Sequence, residues 1–291
     1  MKNFTGKLLL LATLAFSALN AQVTKLNNNQ GLQFVGLLDA NRAVFYSHGT
    51  HMLWISDGTL TGTNQITSKV TYDAFGTVMN GRIYFRGFSP ATGYELWRTD
   101  GTDAGTTLVQ DTNPGTASSN PSDRLLVFAN HIYFSAQTAA KGRELWKTDG
   151  TDEGTVLVKD IISGTGSSNT EALYKIKVAG NHLYFVANTN LGEELWKTDG
   201  TAEGTIPVRD INPGAASASP IILGTYQGRL VFTANDSVHG FEPWISNGSL
   251  AGTYLLKDLE PGSQSSITEQ LVEFNGKMLF TGQEKVHGQE L

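Results

Sequence analysis

Glu194-Leu-Trp-Lys-Thr-Asp-Gly-Thr201 is one of five versions of a single octapeptide in a chain of 291 residues. Glu95 to Thr102 and Glu144 to Thr151 repeat it with at most one change. Met52 to Thr59 and Glu242 to Ser249 are looser copies. Together the five hold every tryptophan of the chain: Trp54, Trp97, Trp146, Trp196 and Trp244, spaced 43, 49, 50 and 48 residues apart. A regular period of roughly 48 residues marks a repeat architecture, and with several short strands per repeat it marks propeller blades.

The register runs well past the octapeptide. In four copies an aspartate stands 14 residues after the tryptophan: Asp111, Asp160, Asp210 and Asp258. Gly115, Gly164, Gly214 and Gly262 follow it, then Ser118, Ser167, Ser217 and Ser265, with no gap anywhere. The first copy departs, with Ser68 in place of the aspartate and a shorter connection. A terminal repeat has one neighbour fewer, so it is free to differ.

Each unit reads as four strands. Leu173 to Val178 alternates as a half-buried strand does. Ala179-Gly-Asn181 is a tight turn of residues that tolerate positive φ. His182 to Ala187, Glu194 to Thr198 and Thr205 to Asp210 are the next three strands, and Pro207, lacking an amide donor, suits an outer edge. The turn signal returns at Asn80-Gly81, Asn130, Gln227-Gly228 and Asn275-Gly276. Links within a unit are short, whereas links between units are long and rich in Gly, Ser and Pro. The expected fold is therefore all-β, a β-propeller-like array of four-stranded antiparallel blades, with a linear solenoid as the competing architecture. Blades are expected to start near Gly31, Ala74, Asp123, Glu171 and Pro220. An incomplete sixth begins near Glu269, its tryptophan falling just past Leu291. The chain is expected to be a fragment of a longer protein.

The N-terminus reads separately. Lys2 and Lys7 precede the apolar run Leu8 to Phe16, and small residues lead to Ala21. This is the pattern of a secretory signal peptide over residues 1–21, leaving 22–291 as the repeat domain and an exported protein, extracellular or at the cell surface. Its removal takes the formal charge from −6 to −8, a balance that repels nucleic acid. No apolar stretch suggests a membrane span. The absence of cysteine excludes disulfides, thiolate metal sites and cysteine nucleophiles.

On these residues the chain resembles the ELWxxDGT repeat family of secreted bacterial proteins. Glu95 to Thr102, Glu144 to Thr151 and Glu194 to Thr201 match letter for letter, while Met52, Pro243, Asn247 and Ser249 depart. The resemblance spans nearly everything after residue 21. It implies a propeller-like β fold, export, and attachment to or release from the cell surface. It implies no established reaction.

Candidate sites follow from the repeat. Trp54, Trp97, Trp146, Trp196 and Trp244 are expected to pack between sheets, and Asp57, Asp100, Asp149 and Asp199 to cap their own turns. Glu95, Glu144, Glu194 and Glu242 form a series that reads as partners of neighbouring backbone or lysine, or as a cation- or sugar-binding ring. Asp100, Asp103, Asp149 and Asp152 bring oxygen ligands together at the short spacing of calcium sites, the one cofactor the sequence suggests. His48 and His51 are close together and not repeated, a weaker metal candidate. His131, His182, His239 and His287 stand where other copies carry unrelated residues and read as surface variation. No catalytic constellation is expected. The reading is a binding or structural interaction module with an extracellular glycan or protein as partner, and ligands on the face of the long inter-blade loops. The alternative is a glycan-active propeller enzyme of sialidase or glycosidase type, which would need a carboxylate pair at defined separation.

Overall fold

The computed structural model describes residues 31–73, 76–168, 176–266, 269–284 and 288–290. The expected signal peptide, His287 and the start of the strand expected at Leu173 lie outside the described residues. Among the described residues there are only strands, turns and loops.

The first blade is β1 (Leu32–Leu37), β2 (Ala43–Ser47), β3 (Leu53–Ser56) and β4 (Asn64–Gln65). The second is β5 (Thr71–Tyr72), β6 (Thr77–Met79), β7 (Arg82–Ser89), β8 (Gly93–Thr99) and β9 (Thr107–Gln110). The third is β10 (Leu126–Phe128), β11 (His131–Thr138), β12 (Gly142–Thr148) and β13 (Val156–Lys159). The fourth is β14 (Ile176–Ala179), β15 (His182–Thr189), β16 (Gly192–Thr198) and β17 (Ile206–Pro207). The fifth is β18 (Ile221–Tyr226), β19 (Arg229–Asn235), β20 (Phe241–Ser246) and β21 (Thr253–Leu255). The sixth sheet has β22 (Glu269–Phe274), β23 (Lys277–Glu284) and β24 (Gly288–Glu290). Every sheet is an antiparallel meander, and blade two carries an extra strand, β5, paired with the far end of β7. The outer strands are shorter than the sequence suggests: β17 holds two residues where six are expected, Pro207 among them.

Turn chemistry accounts for the first hairpin of blades two, three and five and of the sixth sheet. Asn80 and Gly81 have φ of 52° and 69°, Gln227 and Gly228 48° and 74°. Two successive positive values are the type I′ geometry that matches strand twist. Neighbouring sheets come closest along their first strands, β1 to β6, β6 to β10, β10 to β14, β14 to β18 and β18 to β22, and their outer strands lie further apart. A stack of parallel sheets would be evenly spaced; these are wedges, and the fold is β-propeller-like.

The core lies between blades. Phe85 pairs in register with Trp97, Phe134 with Trp146, Phe185 with Trp196 and Phe232 with Trp244. Each such pair packs onto the preceding blade. Phe185 and Trp196 join Tyr133, Leu145 and Val158 of blade three, while Phe232 and Trp244 join Tyr184, Leu195 and Val208 of blade four. The alternate residues, Tyr133 and Leu145 for example, face forward to the next blade, so both faces of a central blade are apolar. Among the described residues no blade precedes the first, whose Phe45 and Trp54 are only half-buried. In the sixth unit Phe274 is 59% exposed, although its counterparts Met79 and Ala179 are buried.

Phe185→Ala is therefore expected to lower unfolding stability by ~3–5 kcal/mol in urea denaturation, as large-to-small core changes do. Phe45→Ala in the first blade is expected to cost distinctly less, and equal losses would contradict the one-sided packing of that blade.

Candidate functional site

The repeated glutamates are fully buried: Glu95, Glu144, Glu194 and Glu242 each expose 0%. Each carboxylate is held by the link that leaves its own blade. Ser119 donates its amide to Glu95 Oε1 at 2.8 Å and its hydroxyl to Oε2 at 2.5 Å, and the Thr112 amide donates to Oε2 at 3.3 Å. The amides of Ile211, Asn212 and Ala218 converge on Glu194 at 3.1, 3.2 and 3.2 Å. The amides of Leu259 and Ser266, with the Ser266 hydroxyl, do the same for Glu242, while Glu144 accepts the Ile162 amide and the Ser168 hydroxyl. Donors favour the charged form, but burial outweighs them and pushes Glu95 and Glu194 up to about 7. Glu144 is raised for the same reason. The series is thus turned inward, away from any exposed ring.

The long links are tied down further. The hydroxyls of Ser118, Ser167, Ser217 and Ser265 accept the amides of Tyr94, Arg143, Glu193 and Phe241 at 2.9, 3.0, 3.0 and 3.0 Å. Gly142, Gly192 and Gly240, with φ of 59°, 76° and 70°, sit where a Cβ would collide with the link's backbone. The serine-rich loops are therefore repeated structural parts, not free display loops.

The Asp-Gly-Thr turns are equally self-contained. Asp149 Oδ1 accepts the Thr151 amide at 2.8 Å and its hydroxyl at 2.7 Å, and Asp57, Asp100 and Asp199 do the same with Thr59, Thr102 and Thr201. The threonine hydroxyl leads these contacts, which hold all four carboxyls below the usual range. Gly101, Gly150 and Gly200 have φ of 90°, 99° and 97°. The hydroxyls of Tyr84 and Tyr133, from the preceding blade, occupy the space a Cβ would need at Gly150 and Gly200. Of the calcium candidates, Asp100 and Asp149 are committed to their turns. Asp103 meets Lys69 Nζ at 2.8 Å and the Thr67 hydroxyl at 2.6 Å, and the Asp152 carbonyl accepts from Gln110. Among the described residues no group of three or more His, Asp or Glu side chains converges. His48 contacts Tyr46 and Gln33, and His51 takes a positive φ of 56°. His131 Nδ1 lies 2.9 Å from the Ala129 carbonyl. Burial lowers His182, and the Asp236 carboxylate 2.8 Å away raises His239.

Two features escape sequence reasoning. Basic side chains clip one blade's turn to the blade before it: Arg98 to the Gly150 carbonyl, Lys147 Nζ to Gly200 at 2.9 Å, Lys159 Nζ to Thr205 at 2.8 Å and Arg209 to Thr253 at 2.7 Å. Their regular offset from the tryptophan was the available signal; their acceptors are backbone carbonyls, which leave no trace in sequence. The other feature is a non-repeated cluster on the loop face of the first blade. The Tyr46 hydroxyl is 2.8 Å from His48 Nδ1, His48 Nε2 is 2.9 Å from Gln33 Oε1, and the Tyr46 ring lies 4.8 Å from that of Tyr72. On the same face Arg86 bridges Asp73 at 2.7 Å and Asp123 at 2.5 Å.

No family model matches the chain. No curated protein matches it either. Solved structures similar to it include BamB from Moraxella catarrhalis (TM-score 0.41, 12% identity, 84% of this chain) and a puromycin hydrolase (TM-score 0.48, 12% identity, 89%). Prolyl oligopeptidase B from Galerina marginata is similar at TM-score 0.44 and 12% identity over 87% of the chain. The chain spans 64%, 42% and 38% of the lengths of those three proteins.

The raised glutamates give a pH dependence of definite sign. Between about 4.5 and about 7 the folded protein keeps a proton on Glu95 and Glu194 that the unfolded chain has released. Their contribution to stability therefore falls as pH rises through that window and is level above it. Glu194→Gln is expected to flatten part of this slope in urea titrations at pH 5, 6, 7 and 8; a slope unchanged in that variant would place the titration elsewhere.

Proposed function

We propose that the protein is a secreted or cell-surface binding and interaction module, and that it belongs with the ELWxxDGT repeat proteins its motif resembles. One observation carries this reading. The polar groups of the repeated motif — the glutamate, the aspartate and both threonines — are engaged in holding backbone of the turns and of the links between blades. A motif spent on architecture supports a scaffold role. Recognition then falls to side chains that differ between copies, such as His48, Gln33 and Arg86 on the loop face. An extracellular glycan or a protein is the partner that fits an exported scaffold with a rigid frame and exposed aromatic and amide groups.

The test is retention of the protein on glycan and protein-partner arrays, with turnover of a glycoside panel measured in parallel. Saturable binding without turnover is expected. Turnover abolished by changing one non-repeated carboxylate would replace this reading with a glycan-active enzyme. Asp149→Ala and Asp199→Ala are each expected to lower stability by ~0.5–2 kcal/mol through loss of a turn cap, and to leave affinity per folded molecule unchanged. His48→Ala with Gln33→Ala is expected to lower retention with little change in melting temperature. Binding lost in the aspartate variants at unchanged stability would move the site to the turns.

A further inference from the structure

Each of blades two to five holds two buried polar groups without a hydrogen-bond partner in the protein. One is the indole nitrogen of Trp97, Trp146, Trp196 and Trp244; the other is Oδ1 of Asp111, Asp160, Asp210 and Asp258. Three of these tryptophans are more than nine-tenths buried, at 8%, 7% and 4% exposure for Trp97, Trp196 and Trp244. The second oxygen of each aspartate is accounted for: Oδ2 accepts the amide of Gly115, Gly164, Gly214 or Gly262 at 3.0, 3.4, 3.1 and 3.4 Å. Unpaired buried donors and acceptors are rare because each forfeits its hydration. The four aspartate acceptors stand in strict register fourteen residues after their tryptophans, and the indole of Trp54 in the first blade, where Ser68 replaces the aspartate, is unpartnered as well.

The two groups share one side of the blade. Gln110 pairs with Leu96, so Asp111 comes level with Glu95, whose carboxyl feels its charge; Asp160 and Asp210 act likewise on Glu144 and Glu194. Trp97 is two residues from Glu95 and points to the same face. Its pyrrole edge lies over Gly87, where a Cβ would come within 3.0 Å of Trp97 Cδ1, and Gly87 is the register partner of Glu95. The equivalent rungs hold Ala136, Ala187 and Ala234, opposite Glu144, Glu194 and Glu242. The rung is close-packed, since a Cβ at Gly87 would also meet Val70 Cγ2 at 2.4 Å, and only glycine or alanine stands there in blades two to five.

The chemistry of the lining selects the occupant. It must accept from an N–H and donate to a carboxylate oxygen. A metal cation cannot accept, an anion would meet two carboxylates, and the glutamate is already supplied with donors. Water does both, and buried waters characteristically make about three such bonds. We propose that blades two to five each enclose one ordered water molecule that accepts from the tryptophan indole and donates to the aspartate Oδ1 fourteen residues on. The blade interface is then a hydrated joint, repeated once per wedge.

The test is water-to-indole cross-relaxation by NMR on the protein with 15N-labelled tryptophan, together with a high-resolution crystal structure. Cross-peaks from a long-lived water are expected for Trp97, Trp146, Trp196 and Trp244, with four matching peaks of density. Asp210→Asn, which places an N–H2 against the water's own hydrogen, is expected to remove the Trp196 cross-peak and spare the other three. Absence of all four cross-peaks, density with oxygen ligands at the ~2.3–2.6 Å of calcium, or a direct indole–aspartate bond near 3 Å would each overturn the proposal.

Discussion

A carboxylate buried with no cation beside it, as Glu194 is in blade four, must be surrounded by donors, and backbone amides supply them from only one conformation of the chain. Three amides of the segment Ile211 to Ala218 meet that requirement together. The link therefore cannot wander: it turns around the glutamate and delivers the chain to the first strand of the next wedge. Asp210, capping Gly214, and Ser217, capping the hairpin at Glu193, fix the two ends of the same turn. The long loops of this repeat are as determined as its strands. The exception shows the rule. The first unit has Met52 in place of the glutamate and Ser68 in place of the aspartate, and there the link instead lays down β5 along the far end of β7.

Around that joint the letters of the motif divide by direction. Tryptophan and its cross-strand phenylalanine look back to the preceding blade; leucine and the tyrosine of the second strand look forward. The glycine of the turn is bare because the forward-looking tyrosine of the previous wedge rests on it. Basic residues one and thirteen places after the tryptophan then close the outer rim onto that same turn. Each contact is between residues one repeat apart, so a wedge is incomplete alone and specifies its neighbour. Burial on both faces explains why strands such as His182–Thr189 read as nearly continuous apolar runs, with little alternation.

Much of this was legible from the chain alone. Tryptophan spacing gave the blade, asparagine–glycine pairs gave the hairpins, and the run of aspartate, glycine and serine gave the link's register. The link's serines show their regular spacing in the sequence but not their role; a hydroxyl's partner here is an amide 24 residues away, and an amide has no letter. The same blindness hid the lysine and arginine clips. It hid β5 too, since Thr71–Tyr72 is too short to show a period. The direction each face looks could not be read, because alternation reports that a face is apolar and not which neighbour covers it.

A frame of this kind separates stability from recognition. A group that recurs in every blade is answerable to a recurring structural need, and any ligand it touched would be met several times at equal spacing. A single ligand requires a place where copies differ. The described residues offer such places where the copies part company: His48 with Gln33 on the first blade, Arg86 between Asp73 and Asp123 beside the second, and His239 with Asp236 on the fifth. All lie at the ends of the second and third strands or beside the links, on the loop face. The Asp-Gly-Thr turns on the opposite face are near-uniform, closed by their own aspartate or, in the fifth blade, Asn247, and in blades three to five covered by the previous blade's tyrosine. Repeated turns hold the wedges on one face and repeated links hold them on the other, so that only these few positions on the loop face depart from the repeat.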